Sequence, residues 1–299
     1  MGPTAAGKSE FAIELAHKIP VEIISVDSAM VYRGMNIGTG KPSLTEMQGI
    51  PHHLIDIRDP CETYSAAEFA KDATQLIAEI SERGRIPLLV GGTMLYFRAL
   101  QQGLSHLPSA DPKTRASLLE EGQRIGWDAM HQHLARIDPE SAARIHPNDP
   151  QRIQRALEVY AITGQPMSSF FGVQKTEEAR KNYEIHAFAL APNDRALLHQ
   201  NIEQRFHRML ALGLVAEVDA LFKRGDLNSN MPSMRAVGYR QVWKYLEGEY
   251  TSDEIIYRAI VATRQLAKRQ LTWLRSLSDI TWLSNTRLAS LSTVIHCVS

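Results

Sequence analysis

The feature that most constrains the fold is the stretch Gly2-Pro3-Thr4-Ala5-Ala6-Gly7-Lys8-Ser9. It matches the phosphate-loop pattern G-x-x-x-x-G-K-[ST], in which successive backbone N–H groups curl around phosphate oxygens. Lys8 adds a positive charge, and the Ser9 hydroxyl can hold Mg²⁺. The residues that follow read as a helix whose N-terminal dipole points at the same anion. The motif therefore predicts a site for a di- or triphosphate.

The fold class that we expect is α/β, a P-loop NTPase-like parallel sheet with flanking helices and a helical insertion domain. A phosphate loop normally follows a buried strand, but only Met1 precedes Gly2, so we expect the first strand to be missing at the N-terminus. Between 105 and 181 strand-like runs vanish and prolines separate helical stretches. We therefore assign 1–104 and 182–299 to the P-loop catalytic domain and 105–181 to the insertion.

The composition is that of an ordinary globular protein. Lys plus Arg and Asp plus Glu both number 33, so any surface for a polyanion must be local. The only two cysteines argue against a disulfide scaffold or a cysteine-ligated zinc site and fit a reducing cytoplasm. No run is long and apolar enough to span a membrane. We expect a cytoplasmic monomer that has no membrane partner.

Two predicted strands end at candidate functional residues. Val21–Asp27 is a β-branched, mostly apolar run, which predicts a buried strand. Asp27 at its end could act as a general base, as an outer partner of Mg²⁺, or as the cap of a helix or turn. Ile86–Val90 reads as the most plainly buried strand, followed by Gly91-Gly92-Thr93 rather than by the acidic residue of a typical ATPase. This absence argues against hydrolysis. Thr93 could hydrogen-bond a substrate or cap the next helix.

Further strands are predicted at His52–Ile57, Tyr183–Leu190 and Ile280–Leu283, and a helix at Ser65–Arg83. The pair His52-His53 does not favour a metal site, because neighbours on a strand point to opposite faces.

Basic residues are concentrated in three predicted helical segments. Arg152 and Arg155 follow a helix start at Asp149-Pro150, and they could also be merely solvated. Arg235–Arg240 mixes arginines with Tyr239, which favours phosphate contact and stacking; the alternative is a helix start with a buried tyrosine. The helix at Asp253–Arg275 has five basic residues and no acid from Arg258 onward. Its stripe of Arg264, Lys268 and Arg275 indicates a polyanion partner, unless it is only solvated.

Together these segments resemble the tRNA dimethylallyltransferase (tRNA isopentenylpyrophosphate transferase) family, bacterial type. The similarity covers nearly the whole chain. Its most specific parts are Gly91-Gly92-Thr93-Met94-Leu95-Tyr96 and Arg264-Gln265-Leu266-Ala267-Lys268-Arg269-Gln270. Family chains have an apolar strand before the phosphate loop, which is missing here, and the zinc finger of eukaryotic members is also absent.

The resemblance implies transfer of the dimethylallyl group from dimethylallyl diphosphate to N6 of the adenine at position 37, next to the tRNA anticodon. Asp27, Thr93 and Lys8 would be catalytic, Mg²⁺ the cofactor with Ser9 as its ligand, and Gly2–Ser9 with Arg205 the diphosphate site. The insertion would help to clamp the anticodon stem-loop. The tRNA contacts would be Asp27, Ser28, Ala29, Met30, Thr93, Arg115, Gln151, Arg152, Ile153, Gln154, Arg155, Arg235, Ala236, Val237, Gly238, Tyr239, Arg240, Lys268, Arg269, Gln270, Leu271, Thr272, Trp273, Leu274 and Arg275.

Three other functions remain open at this point. A small-molecule kinase shares the phosphate loop but turns over ATP and ignores tRNA. An adenylate isopentenyltransferase runs the same chemistry on a free nucleotide and has no use for the arginine-rich helices. An RNA-binding protein without activity would bind tRNA but transfer nothing.

Overall fold

The computed structural model describes residues 1–103, 107–171, 183–283 and 287–298. The domain boundaries predicted at 104–105 and 181–182 lie outside these ranges. The chain divides into two compact units, Met1–Gln101 with Ala179–Ser299, and Gln102–Glu178. The described elements are α1 (Lys8–Ala16), β1 (Val21–Val26), α2 (Leu44–Met47), β2 (His52–His53), α3 (Ala66–Glu82), β3 (Ile86–Gly91), α4 (Met94–Gln102), α5 (Pro112–Ile125), α6 (Trp127–Ile137), α7 (Pro139–Arg144), α8 (Pro150–Thr163), a 3₁₀ turn (Met167–Phe170), β4 (Phe188–Ala189), α9 (Arg195–Ala211), α10 (Leu214–Phe222), α11 (Tyr239–Leu246), α12 (Ser252–Arg275), β5 (Thr281–Trp282) and α13 (Arg287–Val298).

The first unit is built on a parallel sheet with helices packed against it, which confirms the predicted fold class. β1 is the middle strand of the order β2-β1-β3, and both neighbours run parallel to it. All six of its residues are buried, as expected for a strand covered on both faces. A second parallel sheet pairs β4 with β5. Met1 lies beside β4, since its amino group donates to Phe188 O at 2.8 Å and its carbonyl accepts from Leu190 N at 2.9 Å.

The helices of the first unit bury the apolar faces that their sequence spacing predicts. Ser65 caps α3 by accepting a hydrogen bond from Glu68 N, and the helix then buries Phe69, Ala73 and Ile80. The Phe69 ring stacks on Tyr96 of α4, with centroids 4.5 Å apart. The described helices include none with both the length and the apolar character needed to cross a membrane.

The second unit is helical in its described part. α5, α7 and α8 begin in the same way, with proline in the first turn and a preceding aspartate that accepts a hydrogen bond from the N–H three residues further on. This combination satisfies free N–H groups and presets the helical φ angle. A small core of α6, α7 and α8 side chains holds the unit together. It includes Met130, Leu134, Ile153, Ala156 and Leu157.

Three predicted strands differ from the structure. β2 ends at His53 because Leu54 and Asp56 have positive φ angles of 61° and 56°, which a strand does not allow. The strand predicted at Tyr183–Leu190 contains only Phe188–Ala189. β3 is half-buried over Ile86–Val90, not fully buried, because β1 is its only strand partner among the described residues.

Candidate active site

The phosphate loop leads directly into an uncapped helix. Gly7 has a left-handed φ of 78°, and α1 begins at Lys8 without a side-chain cap. Its first N–H groups are therefore available to an anion, as the motif predicts. Lys8 Nζ donates to Pro3 O at 2.6 Å, so the lysine curls back over the loop.

Three charged groups of the first unit act on one another at this loop. Burial and the repulsion from Arg205 lower the pKa of Lys8 to about 8, against an opposing effect of Asp27. The structure thus brings together the lysine, the arginine and the carboxylate that the sequence placed at the site. The positive charges of Lys8 and Arg205 face only the one negative charge of Asp27 among these three groups. A diphosphate bound here would therefore be stabilised electrostatically.

The ends of β1 and β3 are tied to each other beside the loop. Asp27 Oδ1 accepts hydrogen bonds from Ala29 N at 2.8 Å and Met30 N at 3.3 Å, which leaves Oδ2 outside this turn. Thr93 Oγ1 accepts from Ser28 N at 3.0 Å, and Thr93 N donates to Val26 O at 3.1 Å. Asp27 therefore caps a turn and also presents a carboxylate at the ligand edge of the sheet.

The glycines at the end of β3 leave no space for a side chain. A Cβ on Gly91 would collide with the carbonyl of Val26, and a Cβ on Gly92 would lie 2.5 Å from Gln270 Nε2. At Gly91, an acidic residue of the kind that an ATPase carries at such a strand end would require the backbone of β1 to move, and at Gly92 it would displace the Gln270 amide. This packing is the physical reason for the glycine pair.

Arg205 is held by the loop that follows β1. Its Nη2 donates to Thr39 O at 2.9 Å, and a Cβ on Gly40 would collide with the guanidinium. The loop is in turn held by Glu217 of α10, whose carboxylate accepts from the N–H groups of Asn36, Ile37 and Gly38 at 2.8–3.1 Å.

Tyr239 also binds this carboxylate, because its hydroxyl donates to Glu217 Oε1. The ring is fully buried. The stacking on a base that we expected of Tyr239 is therefore wrong, and the alternative of a buried tyrosine at a helix start is correct. In the same segment, Arg235 and Arg240 are exposed. Gly238 is buried, and Ala236 and Val237 are half-buried.

The donor groups at the phosphate loop fit Mg²⁺ in their chemistry. Ser9 offers a hydroxyl and Asp27 a carboxylate, and Mg²⁺ is commonly held by one or two such oxygens together with substrate phosphates and water. Elsewhere the described residues bring Asp59, Cys61 and Asp226 within 4.8 Å of one another. There Arg224 donates hydrogen bonds to both carboxylates and so occupies the place of a cation.

Helix α12 has an exposed basic face and a buried face. Lys268, Arg269 and Arg275 are exposed, as is Thr272. Arg264 is only partly exposed, and its Nη2 donates a hydrogen bond to Glu203 of α9 at 3.0 Å. Leu271 and Trp273 are half-buried, whereas Leu274 and Gln270 are buried and cannot touch RNA with their side chains.

In the second unit, two arginines that the resemblance assigns to tRNA share a buried carboxylate. Arg115 Nε lies 2.9 Å from Glu158 Oε1, and Arg155 Nη1 lies 2.6 Å from Glu158 Oε2. Gln154 Nε2 donates to Arg115 O at 2.7 Å. Gln151 and Arg152 are exposed on the same helix, whereas Ile153 is fully buried in the core.

Sequence reasoning missed Glu158 and Glu217, which hold site elements in place. Both stand within apolar stretches of their helices, Arg-Ala-Leu-Glu-Val and Leu-Val-Ala-Glu-Val. A charged residue among core positions needs a partner, so this pattern was a usable signal.

Comparison with known proteins places these features in one family. A family model described as IPP transferase matches residues 30–277. The tRNA isopentenylpyrophosphate transferase of Bacillus halodurans is 38% identical with a TM-score of 0.71, and the match covers 99% of this chain and 93% of that chain. The tRNA delta(2)-isopentenylpyrophosphate transferase of Staphylococcus epidermidis is 35% identical with a TM-score of 0.70, covering 100% and 97%. A eukaryotic dimethylallyltransferase acting on tRNA is 28% identical with a TM-score of 0.74, covering 99% and 76%.

Proposed function

The chain belongs to the IPP transferase family of enzymes, which modify tRNA by isopentenyl transfer, and on this premise we propose how its residues carry out the reaction. The donor is dimethylallyl diphosphate, and the acceptor is N6 of the adenine at position 37, next to the anticodon. One observation supports this reading above the others. The phosphate loop lies with Asp27 and Arg205, while β3 ends in a glycine pair and not in the acidic residue of a typical ATPase.

The phosphate loop holds the diphosphate as a leaving group. The C–O bond between the allylic carbon and the diphosphate breaks, and Lys8, Arg205 and the N–H groups of α1 stabilise the charge that develops on oxygen. Ser9 would hold a Mg²⁺ ion beside the diphosphate, and the ion would supply further neutralisation of this charge.

Asp27 acts on the acceptor side of the reaction. The nitrogen of the adenine amine forms a bond to the allylic carbon, and its surplus proton passes to the Asp27 carboxylate. Thr93 holds the two strand ends together through Ser28, so that its hydroxyl positions the carboxylate. The adenine must leave its stack to reach this place, which costs on the order of a few kcal/mol.

The tRNA is bound by the exposed basic residues. Lys268, Arg269 and Arg275 of α12 contact backbone phosphates, as do Arg115 and Arg152 of the helical insertion. The enzyme works as a monomer in the cytoplasm, where tRNA is found and where its free thiols, Cys61 and Cys297, remain reduced.

The test is the identity of the acceptor atom. Purified enzyme is incubated with Mg²⁺, dimethylallyl diphosphate and either unmodified anticodon stem-loop or free AMP, and the product nucleosides are identified by mass spectrometry. We expect N6-dimethylallyl adenosine next to the anticodon and none from AMP. Prenylated AMP would favour the adenylate isopentenyltransferase, and tRNA binding without any product would favour the inactive RNA-binding protein.

A further inference from the structure

We propose that Gln270 is a positioning residue that sets the spacing between the phosphate loop and the end of β3. The inference rests on the proposed function, which places the two substrates at these two elements. Gln270 lies on the buried face of α12, with only 8% of its surface exposed. Its Oε1 accepts a hydrogen bond from Thr4 N at 2.9 Å, and its Nε2 donates one to Gly92 O at 2.8 Å.

A single planar amide makes both bonds, and this fixes its orientation. Turning the amide over would set the NH₂ group against the Thr4 N–H and the oxygen against the Gly92 carbonyl, so both bonds would be lost. The close approach also requires glycine at position 92, where a Cβ would lie 2.5 Å from Nε2. Gln270 and Gly92 therefore fit each other as a pair.

The bridge joins the leaving-group side of the site to the proton-accepting side. From Thr4 in the phosphate loop it leads through Gln270 to Gly92, and the next residue, Thr93, accepts a hydrogen bond from Ser28, the neighbour of Asp27. A displacement of about 1 Å between reacting groups lowers an enzyme rate by about 10²-fold. A rigid amide between the two sides keeps that distance constant.

The same helix carries the exposed basic face. Lys268 and Gln270 are two residues apart, which is about 200° around the helix, so they lie on opposite sides. Lys268 and Arg269 are exposed, whereas Gln270 is not. The resemblance grouped all three as tRNA contacts, but the structure gives Gln270 a different role, because its amide is used within the protein.

The first experiment compares Gln270→Met with a matched control. Methionine has similar length and no strong hydrogen-bonding group, and Gln265→Met makes the same change at an exposed position of α12. We expect Gln270→Met to lower kcat and the affinity for inorganic diphosphate by about tenfold each, because a buried N–H and a buried carbonyl lose their partner. The tRNA Kd and its salt dependence stay at the wild-type values. Gln265→Met changes none of these quantities.

A second variant tests the bridge even if Gln270→Met is unstable. In Gln270→Glu, the ionised carboxylate accepts from Thr4 N but repels the Gly92 carbonyl. When protonated, it again offers one acceptor and one donor. We therefore expect its kcat relative to wild type to recover as the pH is lowered, a response that loss of packing alone does not produce.

Two results would overturn the inference. A higher tRNA Kd for Gln270→Met, at unchanged kcat and diphosphate affinity, would make Gln270 a tRNA contact. A kcat ratio of Gln270→Glu to wild type that stays well below one at every pH, so that protonation restores nothing, would mean that the two bonds do not matter. If the wild type transferred no dimethylallyl group, the proposed function would be wrong, while diphosphate binding by the same variants would still decide the role of Gln270.

Discussion

The pKa of Lys8 is expected to differ between the free enzyme and the enzyme with bound diphosphate. Burial and the repulsion from Arg205 lower its pKa to about 8 in the free enzyme, well below the ordinary value of 10.5. A bound diphosphate stabilises the protonated form and raises this pKa again. Binding therefore takes up a proton whenever the pH is above about 8, and the affinity falls as the pH rises through that value.

This behaviour predicts a pH dependence that can be isolated with one variant. Lys8→Arg stays charged over the whole range, so the ratio of wild-type to variant diphosphate affinity removes the ionisation of the ligand itself. We expect the ratio, measured by calorimetry between about pH 7 and pH 10, to be constant below about pH 8 and to decrease above it. A constant ratio across the range would contradict the account of Lys8.

Asp27 is predicted to affect the chemical step and not tRNA binding. Asp27→Asn keeps the oxygen that accepts from Ala29 and Met30, so the turn is preserved, but it removes the proton acceptor. We expect kcat at saturating substrates to fall by about 10²–10⁴-fold, with the tRNA Kd unchanged. Asp253→Asn, an exposed change in the first turn of α12, is the control. A wild-type kcat for Asp27→Asn would exclude its role as general base.

Among the elements, β1 is held by side-chain interactions at its start as well as at its C-terminal end. Glu22 is buried there, and hydrogen bonds from Arg83 and His53 hold its pKa at about 2. Because the folded-state pKa is depressed, the stabilisation is complete above the unfolded value of about 4.5 and is lost as the pH falls towards 2.

Glu22→Gln is therefore expected to lower the free energy of unfolding by about 2 kcal/mol at neutral pH. This figure is smaller than the full pKa shift implies, because solvent around the half-exposed Arg83 screens the ion pair. The difference from wild type shrinks as the pH falls below about 4 in denaturant titrations. Glu82→Gln, at the exposed end of α3, serves as the control. A difference that did not vary with pH would show that the ion pair is not its source.

A buried residue of α8 positions one arginine of α5 and one of α8. Glu158 is fully buried and holds Arg115 and Arg155. Burial alone raises the pKa of Glu158, but the hydrogen bonds from these arginines and from Asp111 N lower it overall. The carboxylate is therefore charged when it orients the two guanidinium groups.

We expect Glu158→Gln to raise the tRNA Kd by about tenfold, because both arginines lose a charged partner. Filter binding at several salt concentrations measures this change. Glu140→Gln removes an exposed partner of Arg144 in the same unit and should leave the Kd unchanged. If folded Glu158→Gln bound tRNA as tightly as wild type, Glu158 would have no part in tRNA recognition.

Local sequence patterns predicted the candidate site residues better than the residues that hold them in place. The phosphate loop, Asp27 and the glycine pair at β3 were found because each lies in one short segment whose spacing carries the chemistry. The bridge from Gln270 to Thr4 spans 266 residues of sequence, and the bonds from Glu217 to the loop at 36–38 span about 180. Such contacts depend on the packing of distant helices, which hydrophobic periodicity does not specify. Tyr239 was misjudged for the same reason, since only the folded chain places Glu217 beside its hydroxyl.

At the scale of the whole molecule, the first unit holds the phosphate loop, the Asp27 carboxylate and the exposed basic face of α12, in a chain that belongs to a family of tRNA-modifying enzymes. The most direct measurement is the transfer of labelled dimethylallyl from its diphosphate to unmodified tRNA, with ATP present as a competing phosphate donor. We expect one diphosphate released for each label incorporated, with ATP unchanged, and a rate about 10²–10³-fold lower for Lys8→Met. Consumption of ATP without incorporation of label would contradict the account and identify the chain as a kinase.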